Sequence, residues 1–154
     1  MSKTIVLALD GTEHSVGPVR YAMDLARERN ARIVVVHVKE LIGGRGAGPL
    51  HVDEDDRLAD VKRQVADLRA AGFATELQRC STMHGPATAI AAAARQSGAE
   101  TIVVGGTSHG AFVGALAGST PQALLHVAPC PVLVAPAVEA VAKQAHAQVA
   151  AIAA

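Results

Sequence analysis

Three stretches of this sequence are apolar almost without interruption. They are Thr4-Ile5-Val6-Leu7-Ala8-Leu9, Arg32-Ile-Val-Val-Val-His-Val38 and Thr101-Ile-Val-Val-Gly105. A strand with one wet face alternates between apolar and polar residues, whereas a solid run is buried on both faces. Only a sheet covered by helices on both sides offers that burial, so these runs restrict the chain to parallel α/β architectures. The intervening segments supply the helices. Val16, Val19, Met23 and Ala26 recur at helical spacing over roughly Ser15 to Arg29, with Ser15 as a plausible cap. Leu58, Val61, Val65 and Leu68 form a second stripe that ends at Gly72, a left-handed stop. Gly85-Pro86 opens a third helix with Ala87, Ile90, Ala91 and Ala94 on one face, and Gly98 closes it.

Two further strands complete the alternation. Phe73 to Cys80 alternates in polarity and reads as a half-exposed edge strand. Pro131-Val132-Leu133-Val134-Ala135 lies between prolines and reads as the last strand, after a fourth helix over Pro121 to Val127. Aromatic residues are only 2% of the 154, so the core is built from Val, Ile, Leu and Ala, as expected of a parallel sheet under Ala-rich helices. The expected fold is α/β: one doubly wound, five-stranded parallel sheet with about four flanking helices and right-handed crossovers. Ala137 to Ala154 is an Ala-rich extension outside this alternation, so residues 1–136 form the single domain.

The balance of charge narrows the function. Lys plus Arg and Asp plus Glu both total 14, and the formal net charge is zero, which argues against a nucleic-acid-binding surface. No apolar run approaches a membrane span, and Met1-Ser2-Lys3 leads directly into a strand with no cleavage pattern, so a cytoplasmic protein is expected. Cys80 and Cys130 form no disulfide framework and lack metal-ligand spacing; they read as buried thiols. His14, His51, His84, His126 and His146 are scattered and suggest no zinc site. The acidic cluster Asp53 to Asp56 opens a helix and faces water on this reading, and Gly43-Gly44-Arg45-Gly46 reads as a linker.

Between Val103 and Thr120 lies a loop with five of the 14 glycines, ending in Gly118-Ser119-Thr120-Pro121. Ser119 or Thr120 can cap the helix that follows, and Pro121 suits its first position. Glycines let backbone amides approach a ligand, and a helix N-terminus favours anions, so the stretch suits phosphate. Doubly wound sheets bind ligands beyond the carboxyl ends of their strands, where the winding reverses. In the order 3-2-1-4-5 that reversal falls between strands one and four. Asp10 ends the first and Gly105 the fourth. Asp10 then either binds a ligand's hydroxyls or an ion, or caps the loop before the first helix. His37 is expected to be a core histidine satisfied by a hydrogen bond.

Three segments together resemble the universal stress protein family. The loop spacing Gly105-x2-Ser108-x9-Gly118-Ser119 is similar to the pattern Gly-x2-Gly-x9-Gly-Ser/Thr of its nucleotide-binding branch. Ile5-Val6-Leu7-Ala8-Leu9-Asp10-Gly11-Thr12-Glu13 resembles its first strand and turn, and Ala128-Pro129-Cys130-Pro131-Val132-Leu133-Val134 its closing strand. The resemblance implies the 3-2-1-4-5 sheet of a Rossmann-like, adenine nucleotide alpha hydrolase-like fold. It also implies a stress-response module that binds ATP, with Mg2+, or AMP or ADP. By position, Ala8, Leu9 and Asp10 would line the adenine and ribose side and Val38 would meet the base. Gly105, Ser108, His109, Gly110, Gly118, Ser119 and Thr120 would meet ribose and phosphates. A homodimer through Pro131–Ala135 is implied as well, and an exposed apolar edge strand agrees with it physically. Ser108 stands where the pattern has its second glycine, and it favours the alternative of a nucleotide-free homodimer acting through protein contacts. No Lys or Arg lies between Gly105 and Thr120, so at most slow ATP hydrolysis is expected.

Overall fold

Strands and helices alternate along the chain in the computed structural model, which describes residues 2–12, 15–41, 51–106 and 119–136, with backbone alone at 51–53 and 119. In order they are β1 (Lys3–Ala8), α1 (Val16–Arg29), β2 (Ala31–Glu40), α2 (His51–Ala70), β3 (Thr75–Thr82), α3 (Pro86–Ser97), β4 (Thr101–Gly105), α4 (Ser119–Val127) and β5 (Val132–Ala135). Every pairing is parallel and the strand order is β3-β2-β1-β4-β5, the expected doubly wound sheet.

The solid apolar runs serve two cores at once, because successive residues of a strand point to opposite faces. Ile5, Leu7, Ile33, Val35 and Val103 meet Ala22 and Ala26 of α1 and Val61, Val65 and Leu68 of α2 on one face. Val6, Val34, Val36, Ile102 and Val104 meet Ile90, Ala91 and Ala94 of α3 and Leu124 of α4 on the other. Small alanines let the helices lie close to the sheet, so a core with so few aromatics still closes. Full burial of each Val, Ile or Leu contributes about 1.5–3 kcal/mol.

Helix ends follow the residues available. α1 stops at Asn30, which adopts φ 52° and returns its N–H to the Ala26 carbonyl. Gly98 ends α3 at φ 63° in the same way, and Gly72 follows α2 at φ 93°. Two elements, β3 and α4, are displaced from the sequence reading in ways that have a physical cause. β3 begins at Thr75 and continues to Thr82, so Phe73 and Ala74 precede it. Phe73 packs on the α1/α2 core with the Arg27 guanidinium 5.4 Å above its ring, while Ala74 offers its carbonyl to the Ile33 N–H. The polar end Arg79 to Thr82 is held by backbone pairing with β2, which polarity alternation does not report. α4 begins at Ser119, so Pro121 sits inside its first turn, where no N–H is required.

Candidate functional site

A cleft of about 380 Å³ opens beyond the carboxyl ends of β1, β2 and β4. Small-ligand sites are roughly 300–1,000 Å³. Its position follows from topology. β1 lies between β2 and β4, and the register Leu7↔Val103 sets Leu9 and Asp10 beside the end of β4. α1 leaves β1 toward one face and α4 packs on the other, so their N-termini flank one opening.

Ala8 at the end of β1 and Leu9 and Asp10 just after it line one side, Val38 joins from β2, and Gly105 and Thr120 line the far lip. Six of the eleven residues expected at a site thus meet in one cleft. Ser119 opens α4 at that lip. Ser108, His109, Gly110 and Gly118 lie outside the described residues, as do segment 42–50 and the extension 137–154.

Asp10 carries the turn that follows β1. Its Oδ1 accepts from the Thr12 N–H at 2.9 Å and from the Thr12 hydroxyl at 2.7 Å. This is an Asx turn, the loop-capping role, and it holds the exposed carboxylate at the cleft mouth. Gly11 follows at φ 76°, buried, with its α-carbon against the backbone of Arg57. A side chain there would overlap the Arg57 carbonyl, so the β1–α1 turn and α2 touch through bare backbone.

That contact brings α2 to the cleft, which sequence reasoning missed. Glu54 and Arg57 line it, along with Glu40 from the end of β2. Glu54 belongs to the cluster expected to face water. Asp55 and Asp56 are exposed, whereas Glu54 turns inward to His37. His37 shares strand parity with Ile33 and Val35 and therefore faces α2. Its ring is 4% exposed. Nδ1–H donates to the Leu9 carbonyl at 2.9 Å, which accepts only, so Nδ1 is the donor. Nε2 lies 2.9 Å from Glu54 Oε1, and one proton joins the two groups whichever atom carries it. The core histidine is satisfied as expected, but its second partner comes from a helix 17 residues away. Asp53 to Asp56 offers no periodicity that would distinguish the inward carboxylate from its neighbours.

Ser15 does not act as the expected cap. It stands at the N-cap of α1 with helical angles, φ −72° and ψ −16°, and its side chain makes no bond to the first turn. Capping needs an extended residue whose hydroxyl reaches back over the turn. Ser15 instead lines the cleft.

Neither cysteine lines the cleft. Cys80 and Cys130 pack beside the α3/α4 core, and burial pushes both thiols above the ordinary value, which favours the unreactive protonated form. Among the described residues no group of three or more His, Cys, Asp or Glu is placed to hold a metal ion, and no helix is long and apolar enough to cross a membrane.

Comparison with known proteins bears on this geometry. The model of the universal stress protein family matches residues 1–136. A universal stress protein of Thermus aquaticus, encoded in the 3' region of a QAH/OAS sulfhydrylase, is 32% identical over 134 residues, covering 86% of this chain and 98% of that protein. Among solved structures, a universal stress protein family member from Burkholderia pseudomallei is 27% identical with a TM-score of 0.69, covering 88% of this chain and 96% of that one. A universal stress protein from Archaeoglobus fulgidus, in complex with dAMP, is 22% identical with a TM-score of 0.63, covering 88% and 98%.

Proposed function

Because this chain belongs to the universal stress protein family, we propose that its cleft binds an adenine nucleotide and that the protein works as a stress-response module read through its occupancy. ATP, with Mg2+, is the first choice, and AMP or ADP share the same base and sugar. One observation carries the reading: the end of β1, the end of β4 and the start of α4 converge on a single cleft of nucleotide size. The dAMP held by the Archaeoglobus fulgidus relative supports the same ligand class.

The residues present fit such a ligand. Ala8, Leu9 and Val38 supply a mainly apolar wall for a flat base, with Asp10 at the ribose. Gly105 and Thr120 lie on the phosphate side, where Ser108, His109, Gly110, Gly118 and Ser119 would join them. Oriented amides at a helix start favour phosphate charge. The loop has no Lys or Arg to meet a transferring phosphoryl group, so the module signals by binding more than by turnover. It acts in the cytoplasm as a homodimer joined along β5.

Isothermal titration with Mg-ATP, AMP and a GTP control tests this. Heat is expected with the adenine nucleotides and none with GTP. No heat from any adenine nucleotide at millimolar concentration overturns the reading and leaves the nucleotide-free homodimer, which Ser108 in the place of the loop's second glycine favours.

A further inference from the structure

Among the described residues that line the cleft, Ser15 carries a buried side-chain oxygen that the protein leaves without a partner. The residue is 3% exposed, yet Oγ has no hydrogen-bond partner among the described residues. A buried hydroxyl without a partner is costly and uncommon. The local backbone gives no reason for it. The Ser15 N–H donates to the Thr12 carbonyl at 3.2 Å, so the turn is already closed, and α1 draws no cap from the hydroxyl. Alanine would serve the fold as well.

The surroundings identify what the hydroxyl meets. α1 starts at Val16 with no acidic residue in its first turn, so its positive end is not neutralised from within. Pro18 of that turn lines the cleft beside Ser15. Across the opening stand Thr120 and Pro121 of α4, on the other face of the sheet. Two helix N-termini therefore bracket the cleft from opposite faces. Of the cleft carboxylates, Asp10 accepts from Thr12 through Oδ1 and Glu54 meets His37, while Glu40 stands at the end of β2.

We infer that Ser15 is a ligand-binding residue whose hydroxyl donates to a phosphoryl oxygen of the nucleotide, so that phosphate is held from the α1 side as well as from the β4–α4 side. The inference rests on the adenine-nucleotide reading and adds a contact to it. It predicts two changes of opposite sign in one variant. Ser15→Ala removes a buried orphan, so the free protein melts a few degrees higher. It also removes a donor to a charged acceptor, so ATP and AMP bind roughly ten- to a hundredfold more weakly. Adenosine, which has no phosphate, binds both proteins alike.

The experiment is thermal melting of the free proteins together with calorimetric titration of ATP, AMP and adenosine into wild type and Ser15→Ala. A free variant that melts lower than wild type makes Ser15 a structural residue and overturns the inference. Equal ATP affinity in the two proteins overturns it while leaving nucleotide binding intact. Loss of adenosine affinity equal to that of ATP moves the contact to sugar or base and overturns the phosphoryl assignment. A wild-type protein that takes none of the three ligands overturns the functional reading and this inference with it.

Discussion

At Gly11 a single hydrogen atom in place of a side chain lets the turn after β1 rest on the backbone of α2. Gly11→Ala introduces strain at φ 76° and a steric overlap with Arg57, and neither is relieved by rotating a side chain. The expected cost is about 2 kcal/mol or more, a fall in melting temperature of roughly 4–8 °C, measured by thermal or urea unfolding. The His37–Glu54 contact gives a second test. Glu54→Ala strands Nε2 in a buried setting and should cost about 1–3 kcal/mol, whereas Glu54→Gln keeps a bonding partner and should recover most of that in thermal melts. Equal losses in the two variants would mean that α2 is held by packing alone. Gly11 and Glu54 also mark the limit of sequence reading at this scale. Gly11 reads as an ordinary turn residue after Asp10, and nothing local announces that Arg57 presses on it. Asp10 was legible, because a polar residue closing a solid apolar run must stand at a strand end. Its bonds to Thr12 depended on the turn that folding selects.

Elements were legible wherever periodicity was strong. β1, β2, β4, α1 and α3 lie within one to three residues of their expected bounds, since two-sided burial and the three-to-four-residue stripe each impose a distinct pattern. The departures lie where another force set the boundary. β3 reaches Thr82 through backbone pairing with β2, and α4 gains two residues before Pro121. β5 is the element with the most direct consequence for assembly. It is an edge strand, with Val134 at 37% exposure and Leu125 of α4 at 69%. Bare apolar edges pair with other chains unless a charge prevents it. With the dimer proposed through this strand, Val134→Lys should convert a dimer into a folded monomer, as read by light scattering with circular dichroism as the folding control. A variant that remains dimeric places the interface elsewhere.

For the whole molecule, the cleft joins segments that are far apart in sequence, so a ligand that spans it ties β1, β2, α1 and α4 together. By mass action, a nucleotide at about 100 times its dissociation constant should add about 2.7 kcal/mol to stability, and the thermal shift should accompany the calorimetric heat. The sequence alone determined the class of fold and set Asp10 and the stretch from Gly105 to Thr120 at one crevice, while the family resemblance added the strand order and Ala8, Leu9 and Val38. It could do so because burial on two faces and the reversal of winding are properties of pattern and connectivity. Only the tertiary structure decided that α2 leans over the cleft on Gly11, that Glu54 reaches His37 while Asp55 and Asp56 are exposed, and that the Ser15 hydroxyl has no partner among the described residues. Those are contacts between surfaces brought together by packing, and side-chain order along a chain holds no record of which atom of one helix will meet which atom of a distant turn.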